Sequence, residues 1–289
     1  MNRPSRHYLG PVTDSALWER FECRPGDAFI CTPPKSGTTW MQTIFALLIS
    51  GDPGVNAQNS VRSPWFDCGI RDTDEAENTL REQTYQRYIK SHTPADGIPY
   101  FDEAHYFCVY RHPLDVHFSM RRHVQNMTID ILDEYVPENI EESFEIFLNG
   151  SAYGPELDAA CLEAITRHYD AFKLWEPQGN VHFFHYVDMK RDLAGAMIRV
   201  ARVLGIDHAP DMMQKLVDAA TFENMKSNAD RFAPSAESGI WHSSAGFFHS
   251  GTDRKWEGKL SKAQLAAYDA RMQELVGPEA RRWLEDGSG

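Results

Sequence analysis

Long apolar runs are missing from this sequence. No stretch approaches the roughly 18 consecutive apolar residues that a membrane-spanning helix requires, so no membrane span is expected. The opening MNRPSRHYLGPVTDSALWER also lacks the apolar centre of a secretory signal. Cysteine is scarce: Cys23, Cys31, Cys68, Cys108 and Cys161 are five in number, scattered, and contain no CxxC pair. That pattern argues against a disulfide scaffold or a cysteine-held zinc, and it points to free thiols in a reducing, cytoplasmic setting. The twelve histidines show no HExxH or comparable spacing, and no metal site is expected. Basic charge is in deficit, with 29 Lys and Arg against 42 Asp and Glu for a net charge of −13. Such a chain is poorly suited to a nucleic-acid or anionic-membrane partner, although a bound nucleotide would need a local basic pocket.

What is present suits a folded globular domain. Hydrophobic residues make up 42% and charged residues 25% of the 289, the balance of an ordinary globular protein. Without internal repeats or a domain-sized linker, residues 1–289 read as one domain. It opens with a polar lead-in, 1–27, where Trp18 and Phe21 are expected to pack on the core.

The most informative segment is AFICTPPKSGTTWMQTIFALLI, Ala28–Ile49. Ala28–Thr32 has the length and composition of a buried strand. Pro33 and Pro34 stop it, and a helical pattern begins near Trp40. Between them lie Lys35, Ser36, Gly37, Thr38 and Thr39. Strand, short Gly/Ser/Thr loop and helix aim free backbone N–H groups and the positive end of the helix dipole at an anion. Lys35 adds a full charge. The lysine precedes the only glycine, so this is not a Walker A loop, which would end in GK[ST].

Similar units follow. Arg87–Ser91 reads as a strand that delivers Lys90 and His92 to the next loop, beyond the strand ends where α/β sheets bind ligands. His105–Tyr110 is another strand, followed by Arg111 and a helix from Pro113 to about Asn126; an arginine suits bidentate grip of a phosphate. Helices are expected at Asp74–Gln83, Ser143–Asn149, Leu157–Trp175, Ala194–Leu204, Asp211–Ala220, Ser261–Val276 and Pro278–Leu284. A further strand is expected at Val181–Tyr186. The Gly-, Ser- and aromatic-rich 235–258 has the composition of a lid.

In order along the chain, PKSGTTW, KSH, Arg111 with Ser119 eight residues later, the segment at Tyr186, Thr221-Phe222, and FFHSGTDRKW resemble the motifs of sulfotransferases that use 3′-phosphoadenylyl sulfate (PAPS). The resemblance implies an α/β fold, in which a central, mostly parallel sheet is flanked by helices, with a P-loop-like phosphate-binding loop after the first strand. It implies PAPS as donor, the bisphosphate PAP as product, and a small acceptor carrying a hydroxyl or amine. His92 would be the general base, with Lys35 and Lys90 as catalytic cations. Lys35, Ser36, Gly37, Thr38, Thr39, Trp40, Arg111, Ser119, Tyr186, Thr221, Phe222, Phe248, His249, Ser250, Gly251 and Arg254 would hold the nucleotide. Departures occur at His112, at Ala220, and at His249-Ser250, which replace the family's Arg-Lys pair; Arg254 and Lys255 are placed to supply that charge. Arg121, Arg122 and His123 would favour a polar or anionic acceptor if they face the pocket. The family's dimer signature does not fit 257–266, which leaves the oligomeric state open. Two other readings are a nucleoside-triphosphate-dependent kinase with an atypical P-loop and a non-catalytic nucleotide-binding protein. The kinase would need a magnesium-binding Asp at a strand end, where the expected strands here end in Thr32, Tyr110 and Tyr186.

Overall fold

Short apolar runs closed by proline or by a helix cap lay down a small parallel sheet. The computed structural model describes residues 3–151, 157–158, 160–234, 239–248 and 251–288. Its strands are β1 (Ala28–Cys31), β2 (Tyr88–Ser91), β3 (His105–Tyr110) and β4 (Val181–His185). They lie in the order β2-β1-β3-β4, all parallel, so the expected α/β class holds and the sheet is wholly parallel among the described residues.

Burial on both faces explains why the strands read as nearly unbroken apolar runs. Phe29, Cys31, Tyr106 and Cys108 face one core with Trp18, Phe21 and Phe66; Ala28, Ile30, Phe107 and Val109 face another with Ile44 and Phe45. Helices α1 (Thr38–Ser50) and α4 (Leu193–Leu204) cover the second face, while α2 (Pro113–Gln125), α3 (Leu162–Lys173) and α5 (Lys262–Leu275) cover the first. The five cysteines form no disulfide. No helix among the described residues is long and apolar enough to cross a membrane.

Several boundaries move for local reasons. The helix expected over Leu157–Trp175 spans Leu162–Lys173. Just before it, the Asp158 carboxylate turns to accept the Val12 and Thr13 N–H groups at 2.8 and 3.0 Å. The helix expected at Ser143 starts at Ile140, because the Asn139 side chain accepts from Glu141 and Glu142. β4 stops at His185, whose ring accepts the Val187 N–H and turns the chain into a short helix, Tyr186–Arg191, absent from the sequence reading.

After β1 the chain crosses to β2 on one side and returns to β3 on the other. β1 therefore sits at a switch in strand order, where a crevice opens beyond the carboxyl ends.

Candidate active site

The carboxyl ends of the strands converge on a cavity of about 240 Å³. At β1 the chain turns through Lys35 at φ +63° and Gly37 at φ +124°. A left-handed lysine is strained by about 1–2 kcal/mol, a cost tolerated mainly at functional turns. At Gly37 a Cβ would come within 3.2 Å of Val109 and 3.4 Å of Tyr186. No side chain caps α1, so the first-turn N–H groups of Thr38, Thr39 and Trp40 have no helical partner. The Ser36 hydroxyl is buried with no hydrogen-bond partner. The Thr38 hydroxyl is tied to that of Thr32 at 2.5 Å. These are the components of an anion cradle.

Trp40 and Tyr186 meet edge to face at 5.2 Å. The Trp40 indole N–H donates to the Ala220 carbonyl at 2.8 Å, so the substituted position still anchors this ring. Phe222 and Phe248 line the cavity, and Gly251, at φ +58°, lies so close that a Cβ would stand 2.8 Å from the Phe222 ring.

His92 is buried at the end of β2, and its Nδ1 lies 2.6 Å from the Thr32 carbonyl oxygen. A carbonyl only accepts, so Nδ1 carries the proton and Nε2 keeps its lone pair. Burial, then the charge of Lys90, pushes the imidazole well below its usual pKa and keeps it neutral. Trp65 lies edge to face with His92 at 4.8 Å and takes the Lys90 ammonium over its ring at 3.8 Å. Behind them the buried Asp67 carboxylate accepts from Trp18, Ser91 and Thr93 at 2.6–2.9 Å, fixing the loop that carries His92.

Lys35 is crowded by cations. Burial, then Lys255, Lys90 and Arg111, lowers it to about 7. Its ammonium lies 3.0 Å from His123 Nδ1 and 4.4 Å from the Phe247 ring centre. Burial, then Arg71, brings Lys90 to about 8.

Arg111 is buried, stacks on Tyr186 at 4.2 Å, and donates to the Thr252 carbonyl at 2.8 Å; its Nε has no partner. Ser119, on α2, lines the cavity. Asp115 holds the strap 252–255, its two oxygens accepting the Arg254 and Lys255 N–H groups at 2.9 and 2.7 Å. Arg254 is left-handed at φ +55°. Its exposed side chain turns to Glu257 at 3.4 Å, while Lys255 lines the cavity. Burial, then Arg111, lowers Lys255 to about 8.

The structure thus gathers most of the expected residues and separates a few. Thr221 does not line the cavity: its hydroxyl caps the helix Phe222–Ser227. Arg254 points away. His249 and Ser250 lie outside the described residues, as do 152–154 of the loop after Gly150 and 235–238 of the expected lid. Of the cluster after Ser119, Arg122 and His123 line the cavity, whereas Arg121 donates to the carbonyls of Pro137, Glu138 and Asn139. His112 caps α2. The sequence reading gave Trp65, Phe247 and Asp67 no role at the site; only the mix of aromatics in 235–258 hinted at Phe247.

A parallel α/β sheet with an anion cradle at the switch point and three lysines lining one crevice is the architecture of a P-loop-like phosphate-binding protein. The family model described as "Sulfotransferase domain" matches residues 25–279. The chain is 33% identical to a glycolipid sulfotransferase of Mycobacterium bovis, over 97% of this chain and 94% of that one. It is 28% identical to an amine sulfotransferase of Oryctolagus cuniculus, over 88% and 82%. In fold it is similar to mouse sulfotransferase SULT7A1 complexed with PAP, with a TM-score of 0.73 and 21% identity over 97% of each chain. The chain belongs to the sulfotransferase family. That membership sets aside the kinase reading.

Proposed function

We propose that this protein transfers a sulfuryl group from PAPS to the hydroxyl or amine of a small acceptor, with His92 as general base. The observation that carries the reading is the His92 hydrogen bond to Thr32, which reserves Nε2 as a proton acceptor in the cavity that Lys35 and Lys90 also line. The relatives named for glycolipid and amine acceptors fit both acceptor types.

The residues present fit the donor. Arg111, whose buried Nε has no partner, lines a crevice rich in cations, and the buried Ser36 hydroxyl in the loop beside it also has none. The N–H groups of 37–39 would hold the 5′-phosphate, the Ser36 N–H being given to the Pro33 carbonyl at 3.3 Å; Arg111 and Ser119 would hold the 3′-phosphate, and Trp40 and Phe222 the base. When bound, PAPS supplies a sulfuryl group on a phosphate leaving group. Lys35 offsets the charge that grows on the oxygen being released. His92 Nε2 takes the acceptor's proton, and the aromatic side chains around the lysines exclude water. The strap 252–255, held to α2 by Asp115, would belong to the lid expected over 235–258.

General-base catalysis contributes typically 10²–10⁴-fold. His92→Ala should therefore lower kcat by about that factor and leave PAP affinity within about threefold. Near wild-type turnover in this variant would remove His92 from the role.

A further inference from the structure

Lys35 is asked to bring a positive charge to the leaving oxygen from a crowded place. The strongest charges that act on it among the described residues are Lys255, Lys90 and Arg111, all cations. Its stem is long and flexible, so repulsion alone would leave the ammonium without a fixed direction. A carboxylate could hold it but would cancel the charge that the reaction uses. A neutral acceptor and an aromatic face can hold an ammonium and leave its charge intact.

Lys35 has one of each. Its ammonium lies 3.0 Å from His123 Nδ1 and 4.4 Å from the Phe247 ring centre. An ammonium donates and has no lone pair, so Nδ1 accepts and the ring proton of His123 sits on Nε2. That is the tautomer opposite to the one His92 adopts in the same cavity. Burial, then the charge of Lys35, pushes His123 well below its usual pKa and keeps the ring neutral.

The imidazole is itself braced. His123 follows Ser119 by four residues on α2, so the two share a face, and both line the cavity. Trp241 packs on His123 at 4.8 Å and on Phe247 at 5.4 Å, and Phe247 meets His123 at 5.7 Å. The segment carrying these two rings is tied to the end of α2. The Thr128 N–H donates to the Ile240 carbonyl at 3.0 Å, the His242 N–H to the Asn126 carbonyl at 2.8 Å, and the Asn126 side-chain amide to the Ser243 carbonyl at 2.9 Å. Held between two rings, the imidazole presents Nδ1 in one direction.

We propose that His123 is the positioning residue of Lys35: its Nδ1 accepts from the ammonium and, with the face of Phe247, fixes the direction of that charge without neutralising it. The inference rests on the sulfuryl-transfer reading and gives His123 a task on the donor side of the reaction.

Two measurements test it, one of them independent of turnover. Nitrogen NMR of the histidine rings in isotope-labelled protein, with His123 assigned through His123→Asn, should show the proton of His123 on Nε2, and Lys35→Met should move its Nδ1 signal. In kinetics with PAPS, His123→Leu should lower kcat by about 10- to 100-fold, the cost of a misplaced catalytic group. Asparagine puts its amide oxygen where histidine has Nδ1, so His123→Asn should recover turnover to within about threefold of wild type. In a Lys35→Met background, His123→Leu should change kcat by about twofold at most, because the group it acts through is gone. A proton on Nδ1, or a Nδ1 signal that Lys35→Met does not move, overturns the inference even if His123→Leu fails to fold. Equal losses in the two lysine backgrounds, or His123→Asn as impaired as His123→Leu, overturn it as well. A wild type with the expected spectra but without PAPS-dependent turnover upholds the hold on Lys35 and overturns the sulfuryl-transfer reading instead.

Discussion

Nucleotide binding should draw protons from solution, by an amount the site's lysines fix. Lys35 stands at about 7 and Lys90 and Lys255 at about 8, each lowered first by burial and then by neighbouring cations. A phosphate seated against such a lysine favours its charged form and raises the pKa in the complex. Affinity is therefore fully present below about pH 7 and is lost as pH rises through about 7 for Lys35 and about 8 for the others. At pH 8 a lysine of pKa about 7 is about nine-tenths neutral, so its charging takes up about 0.9 proton; at pH 6 it takes up about 0.1. Lys255 adds up to about half a proton at pH 8. Between pH 8 and 9 Lys35 alone lowers affinity about tenfold, or ~1.4 kcal/mol. The ligand's own phosphates, with a second pKa of about 6, are fully ionised by then. Calorimetric titration of PAP at pH 8, in buffers of different ionisation enthalpy, counts the protons directly. Lys35→Met should remove the larger share and leave that of Lys255. Uptake below about 0.2 proton at pH 8, or equal uptake in wild type and Lys35→Met, would refute the reasoning.

Two further outcomes separate the strap from the cradle. Lys255→Met should weaken PAP binding about tenfold, the scale of one charge-assisted contact, yet leave adenosine 5′-monophosphate within about twofold; Arg254→Ala should change neither, because its side chain turns to Glu257. Equal losses on both nucleotides, read by calorimetry, would detach Lys255 from the 3′-phosphate. Gly251→Ala combines an unfavourable left-handed backbone with a Cβ 2.8 Å from Phe222, so melting temperature and PAP affinity should fall together, the first by a few degrees for about 1 kcal/mol. Wild-type affinity in that variant would mean Phe222 does not flank the base.

Much of the fold was legible because its signals are local. The apolar runs at Ala28, Tyr88, His105 and Val181 are strands because both faces of the sheet are buried, and Pro33 and Pro113 mark where strand gives way to turn or helix. The cradle was readable for the same reason, since strand, loop and helix N-terminus are contiguous. Boundaries slipped where a distant group intervened, as at Asp158 before α3, or where a cap had gone unread, as at Asn139 and His185.

The sequence by itself determined which residue types occupy the strand ends: a lysine and hydroxyls after β1, a histidine after β2, an arginine after β3, a tyrosine after β4. It did so because a buried parallel strand and a glycine turn each leave a short-range pattern. Only the tertiary structure decided which nitrogen of His92 keeps its lone pair, which of Arg254 and Lys255 enters the crevice, and what surrounds Lys35. Those outcomes depend on contacts between residues 60 to 140 positions apart. A hydrogen bond to Thr32, a left-handed turn at Arg254 clamped by Asp115, and an imidazole from α2 each arise from packing two elements together, and no local pattern in either element encodes the meeting.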